Sequence, residues 1–319
     1  MDTPTTPAEG ELAARPPSLA RKLLGVAVGG LILACLVLYL VPQWHKLPPG
    51  GIHLRAGLFA LSAAFLLVFF LIQATGWKTI VSGLGPRIPL LPAWRYYFFS
   101  QIAKYVPGKV MLPLVRARYC LKRGTSVQAT LLSIAIEMIL MIATGCLVFV
   151  ATTGAHAAQI SRGYLALYSL LVPAALIGIH PRVLAPAVNL GLRLIRRQPI
   201  RIDLSYRTMI GLLLLFLSCW IAYGLSSYFL CRSITTAVRP EHLAAITGIF
   251  ALGWVAGLVT VISPGGLGFR EGALLGLLAV LLPGQTAILA VIVLVARLQW
   301  TGVEVLLAGA LAVLVGREK

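Results

Sequence analysis

The chain has 319 residues, 59% hydrophobic and only 11% charged, with a formal net charge of +18 and a mean hydropathy of +0.92. That basicity does not point to nucleic acid, because no basic domain exists to hold it; the basic residues lie in loops and near the ends of apolar runs, where they set topology and attract anionic lipid headgroups. Several apolar runs of about 20 residues match a hydrocarbon core of roughly 30 Å, and nothing shows the alternation of a membrane barrel, so the fold class is an all-α polytopic membrane helical bundle.

In chain order, residues 1–21 are rich in Pro, Thr, Ala and Glu and read as a disordered cytoplasmic tail, leaving 22–319 as a single transmembrane domain. The first apolar run is too long for a signal-peptide core and no small-x-small site closes it, so an uncleaved helix is expected over 22–42. Further spanning helices are expected over 55–76, 127–152, 163–180, 207–231 and 285–315. Two segments, 92–124 and 240–283, are less regular. Each contains a Pro-Gly break between helical halves and reads as a re-entrant or broken helical hairpin. Residues 181–201 mix Leu and Val with Arg193, Arg196 and Arg197, which fits either an amphipathic helix on the cytoplasmic face or a basic connector.

Placing the N-terminus in the cytoplasm puts Lys78, Arg87 and Arg95 inside, together with Arg116, Arg118, Lys122 and Arg123, the 182–201 connector, and the tail with Arg317 and Lys319. Outside loops then keep only Lys46, Arg55, Arg162, Arg232 and Arg239, which satisfies the positive-inside rule with both termini cytoplasmic. In this layout 55–152 and 207–315 each run helix, hairpin, helix in opposite orientation. Inverted repeats with broken helices meeting near mid-membrane are a transporter architecture.

The first hairpin carries Lys104, Tyr105, Pro107, Gly108 and Lys109. Pro107 suits the first turn of a new half-helix. Such a terminus aims unsatisfied amides and a positive dipole end at whatever faces it. Lys104 and Lys109 add full charges, so a phosphate is the natural guest; the alternative is interface anchoring by snorkelling lysines.

The second hairpin reads Ser263-Pro264-Gly265-Gly266-Leu267-Gly268-Phe269-Arg270-Glu271. Gly265, Gly266 and Gly268 permit a backbone concavity whose amides cradle an anion. Arg270 offers a bidentate fork to phosphate or carboxylate. Glu271 either holds Arg270, caps the following helix, or titrates in a dry cavity. Gly253, Gly257, Gly272 and Gly276 flank the break as small faces for helix packing. Glu137, Arg297 and Glu304 fall inside apolar helices and must face the bundle interior, as charge pairs or proton carriers. Glu304 has Arg297 or Lys104 as expected partners, and Glu137 has Arg270. The five cysteines and five histidines show neither pairing motifs nor ligand spacing, so no metal and no cofactor are expected. No grouping of Ser, His and Asp, nucleotide loop or acid/base pair stands out, so catalysis is not expected.

Residues 100–137, with Lys104-Tyr105, Pro107-Gly108, Arg118, Gly124 and Glu137, and Ser263-Pro264-Gly265-Gly266 through Gly268, Arg270 and Glu271, followed by Arg297, resemble the two halves of one family pattern. It is that of the lysylphosphatidylglycerol synthase transmembrane region, the flippase-like module of multiple peptide resistance factors. The resemblance covers roughly residues 20–315 and departs at Ser100, where a polar amide is the family expectation. It implies movement of a lipid headgroup across the bacterial inner (cytoplasmic) membrane, without the soluble aminoacyl-transferase domain of fused members. The implied partner is a membrane lipid with an anionic or phosphate-bearing headgroup: a phospholipid, an aminoacylated lipid or a polyprenyl-linked glycan. Lipid or glycan biosynthesis enzymes are further expected partners. The rival readings are an integral-membrane glycosyl or phosphoryl transferase, and a non-transporting scaffold of a biosynthetic complex.

Overall fold

A computed structural model describes residues 54–104, 111–157, 177, 180–194, 204–259 and 268–314. The expected helices 22–42 and 163–180 and the tail 1–21 lie outside these, apart from isolated positions at the end of the second helix. So do Tyr105, Pro107, Gly108, Lys109, Ser263, Pro264, Gly265 and Gly266.

The described residues form helices α1 (Ala56–Ser82), α2 (Leu90–Ala103), α3 (Met111–Leu121), α4 (Val127–Ala157), α5 (Pro181–Leu194), α6 (Tyr206–Ile234), α7 (His242–Val259), α8 (Phe269–Leu281) and α9 (Thr286–Leu314). Ala56–Ser82, Val127–Thr152, Tyr206–Ile234 and Thr286–Leu314 are long and apolar enough to cross a bilayer. The chain is an integral membrane helical bundle. α1 runs six residues past the expected end at 76, because Trp77, Ile80 and Val81 continue its buried face beyond Lys78. It stops at Gly83, whose N–H bonds the Ile80 and Val81 carbonyls.

α1 and α6 form an antiparallel central pair. Arg55 N–H donates to the Ser233 carbonyl at 2.9 Å, and Ser62 Oγ donates to the Ser226 carbonyl at 2.7 Å. A Cβ on Gly76 would stand 2.6 Å from the Phe216 ring, and one on Gly83 would run into Leu204. The contact positions 55, 62, 76 and 83 fit steps of seven, a seam like that of a coiled coil. Ser62 also donates to Gln299 Oε1 on α9 at 3.1 Å. Such polar contacts join helices where lipid supplies no hydrophobic drive.

Apart from α5, the remaining helices pack around this pair. α2 packs on α3 and α7 on α8; α9 lies against α2, α8, α1 and α6, and α7 against α4 and α6. At 1.5 Å per residue, α2, α3 and α8 reach only about 17–21 Å and are too short to cross a bilayer alone. Large apolar side chains such as Leu306, Val313, Leu214 and Ile221 are exposed on the outside, as a lipid-facing belt requires. Segment 181–201, left open between helix and connector, is helical over Pro181–Leu194.

Candidate functional site

Helix packing puts charge at the centre. A cavity of about 570 Å³ is lined by residues of α1, α3, α4, α7, α8 and α9 and of the C-terminal end of α2, and six of its lining side chains are charged: Lys104, Arg116, Glu137, Arg270, Arg297 and Glu304. Glu137 lies ten residues into α4, about 15 Å along its axis, near half the thickness of a hydrocarbon core. The rest of the lining is largely apolar, including Leu131, Ile134, Met138 and Ile142 of α4.

One side of the cavity holds a sealed pair. Arg116 of α3, 1% exposed, donates from Nη1 to Glu137 Oε2 at 2.8 Å and from Nε to Ser100 Oγ at 3.0 Å. Tyr97 Oη donates to the other Glu137 oxygen at 2.7 Å. The guanidinium carbon lies 4.4 Å from the Tyr97 ring centroid and 4.6 Å from that of Trp77. Hydrogen bonds satisfy both carboxylate oxygens, as a buried pair needs. Ser100, where the resemblance implied an amide, bridges Arg116 to the Tyr97 carbonyl, to which it donates at 2.6 Å.

The other side is built around Trp300. Its indole N–H donates to Glu304 Oε1 at 2.9 Å, and Glu304 also pairs with Lys104. Arg270 lies over the indole face with its guanidinium carbon 4.5 Å from the centroid and donates to Tyr223 Oη at 2.7 Å. Phe69, Phe70 and Tyr223 pack on the same indole, with ring centroids 4.8–5.4 Å away.

Of the expected partners, Glu304 takes Lys104, whereas Glu137 takes Arg116 rather than Arg270. Nor does Glu271 hold Arg270: its Oε2 accepts from Gly268 N–H at 2.8 Å, and its Oε1 lies 3.9 Å from Arg297 Nε. Glu271 therefore caps α8, which starts where Gly268 adopts φ 83°, a conformation glycine tolerates without strain. Gly268 and Glu271 sit beside the cavity rather than on its wall. The four packing glycines divide. A Cβ on Gly253 would come within 2.6 Å of Leu274, and one on Gly257 within 3.0 Å of Arg270 Cβ, but Gly272 and Gly276 face open space. Among the described residues the latter two pack against nothing.

Glu137, Glu271 and Glu304 are the only carboxylates within α1–α9, and each is within ion-pair distance of a different cation. Among the described residues no carboxylate lies within ion-pair distance of Arg270, which is 5% exposed.

Sequence reasoning placed Arg116 in a cytoplasmic basic cluster and did not single out Tyr97, Tyr223 or Trp300. The available signal was phase: 112, 116 and 120 recur at helical spacing on one face of α3, while Arg118 and Lys122 are exposed.

The family model described as the lysylphosphatidylglycerol synthase TM region matches residues 22–305, and the chain belongs to this family. No curated protein and no solved structure matches it. Family membership connects the chain with membrane lipids.

Proposed function

We propose that this family member moves a lipid with an anionic or phosphate-bearing headgroup across the bacterial inner membrane, with both termini cytoplasmic. The observation that carries the reading is Arg270: a buried guanidinium on a mid-membrane cavity wall, with no carboxylate partner among the described residues. Burying an uncompensated charge costs several kcal/mol, and an anionic guest removes that cost. Lys104 stands on the same wall, so a phosphate drawn to Arg270 is also within reach of a second cation. The guest is a phospholipid, an aminoacylated lipid or a polyprenyl-linked glycan, with its chains left in the bilayer.

The antiparallel α1–α6 pair fits two units of opposite orientation, and rocking of one unit against the other would expose the cavity to each side in turn. An inside-negative potential favours outward movement of a monoanion by about 2.3 kcal/mol per 100 mV. The reading is transport rather than transfer chemistry, because each interior carboxylate is engaged with a cation instead of standing ready as a base.

The test is reconstitution in vesicles with fluorescent lipid and a membrane-impermeant quencher. Wild type is expected to move lipid, and Arg270→Ala to abolish the movement with insertion and folding intact. Unchanged movement in that variant counts against the reading.

A further inference from the structure

The charges around the cavity say more about its guest. We propose that the cavity selects a singly anionic phosphodiester lipid, its phosphate on Arg270 and one acyl chain against the Leu131–Ala135–Met138 stripe of α4, and discriminates against cationic, zwitterionic and doubly charged headgroups. This rests on the lipid-transport reading above and specifies its substrate class.

Charge comes first. Lys104, Arg116, Arg270 and Arg297 face the cavity, and the nearby carboxylates are Glu137, Glu271 and Glu304. Among the described residues three carboxylates balance three cations and leave one positive charge, on Arg270. A phosphodiester carries one negative charge and brings the buried set to neutrality. A phosphomonoester carries about −1.5 to −2 at pH 7 and would leave net negative charge away from water. A headgroup with an added ammonium brings back the charge that its phosphate cancels.

The second observation selects a lipid over a free anion. Leu131, Ala135 and Met138 follow one another at helical spacing of four and three on one face of α4. All three are exposed to the outside, and all three line the cavity. The cavity therefore opens sideways along an apolar stripe that an acyl chain matches. Leu112 and Pro113 of α3 and Leu258 of α7 supply further apolar lining. Phosphate to Arg270 and chain to α4 is an amphiphile's geometry, entered from the bilayer.

The experiment is native mass spectrometry of the full chain from nanodiscs holding equal amounts of phosphatidylglycerol, phosphatidylethanolamine, phosphatidic acid and lysyl-phosphatidylglycerol. Phosphatidylglycerol should be retained about tenfold over each of the others, a difference of about 1.4 kcal/mol that one unbalanced buried charge readily exceeds. Arg270→Gln should erase the ranking and Arg270→Lys preserve it. Equal retention, or a preference for the zwitterionic, cationic or phosphomonoester lipid, overturns the proposal. Displacement of phosphatidylglycerol by inorganic phosphate overturns the lipid assignment; no displacement supports it. If Arg270→Gln fails to fold, the wild-type ranking alone decides. Selective binding without movement in vesicles would leave this inference standing and sink the transport reading. Equal movement of all four lipids would do the reverse.

Discussion

Arg270 and Trp300 form a stacked pair, guanidinium carbon 4.5 Å from the indole centroid, and the same indole ties itself to Glu304 by its N–H. One side chain thus positions a cation on its face and a carboxylate at its edge. This makes Trp300 the joint between the cavity's charges and the aromatic core of Phe69, Phe70 and Tyr223. Trp300→Phe keeps a ring under Arg270 but removes the donor from a carboxylate that is 1% exposed. We expect a loss of about 1–3 kcal/mol, the cost of leaving a buried acceptor short of a bond, read as a lower unfolding temperature in detergent. An unchanged unfolding temperature would mean that Glu304 does not depend on the indole.

The Arg116–Glu137 pair calls for a different experiment. Removing one partner of a buried pair leaves an uncompensated charge and costs about 3–5 kcal/mol, whereas replacing both with apolar groups of similar size is often neutral. Arg116→Met and Glu137→Leu should therefore each destabilise the protein strongly, and Arg116→Met/Glu137→Leu should recover much of the loss. Denaturant unfolding of the two single variants and the double variant forms a cycle that isolates the coupling. If the double variant falls by the sum of the singles, the pair is not coupled and the Tyr97 and Ser100 contacts carry the stability instead.

How much of this was legible in the sequence depended on which physical signal each residue carried. The four long spans were readable because apolar length alone identifies them. Glu137, Arg270, Arg297 and Glu304 were readable as interior because charge within an apolar run has few other places to go, while Lys104 read equally as an interface anchor. Their pairing was only partly readable: Lys104, 200 residues from Glu304, was one of two partners expected for it, whereas Glu137 takes Arg116 in place of the expected Arg270, because packing sets such pairs. Arg116 was hidden by its neighbours. Arg118, Lys122 and Arg123 made it look like part of a topological cluster, and only its helical phase separates it from them. Trp300 and Tyr223 sat in apolar sequence where an aromatic side chain fits a core as well as a site.

The glycines around the second break separate close packing from open surface. At Gly257 an added Cβ would lie 3.0 Å from Arg270 Cβ, so Gly257→Ala should push Arg270 off its place over Trp300. We expect reduced lipid movement with only a modest change in stability. Gly272→Ala and Gly276→Ala meet nothing within 4 Å and lie within α8. They should leave movement intact and stabilise the helix by about 0.5–1 kcal/mol, the usual gain of Ala over Gly. Paired measurements of unfolding temperature and vesicle flipping check both. Loss of movement in Gly272→Ala would show that this face has a role the free chain does not reveal.

The sideways opening along α4 is tested by bulk. Ala135 is the smallest residue of the stripe, exposed and on the cavity wall. Ile139, one turn further along the helix, is also exposed, at 50%, but does not line the cavity. Both face the outside of the bundle, so a tryptophan at either position should cost little folding energy. Ala135→Trp should fill the opening and slow lipid movement by about tenfold or more, the fold-change that about 1.4 kcal/mol of added barrier gives. Ile139→Trp should leave the rate near wild type. The pair separates a blocked path from a general perturbation of the lipid-facing surface: equal slowing in both variants would place the route elsewhere, and no slowing in either would show that the chain does not enter past α4.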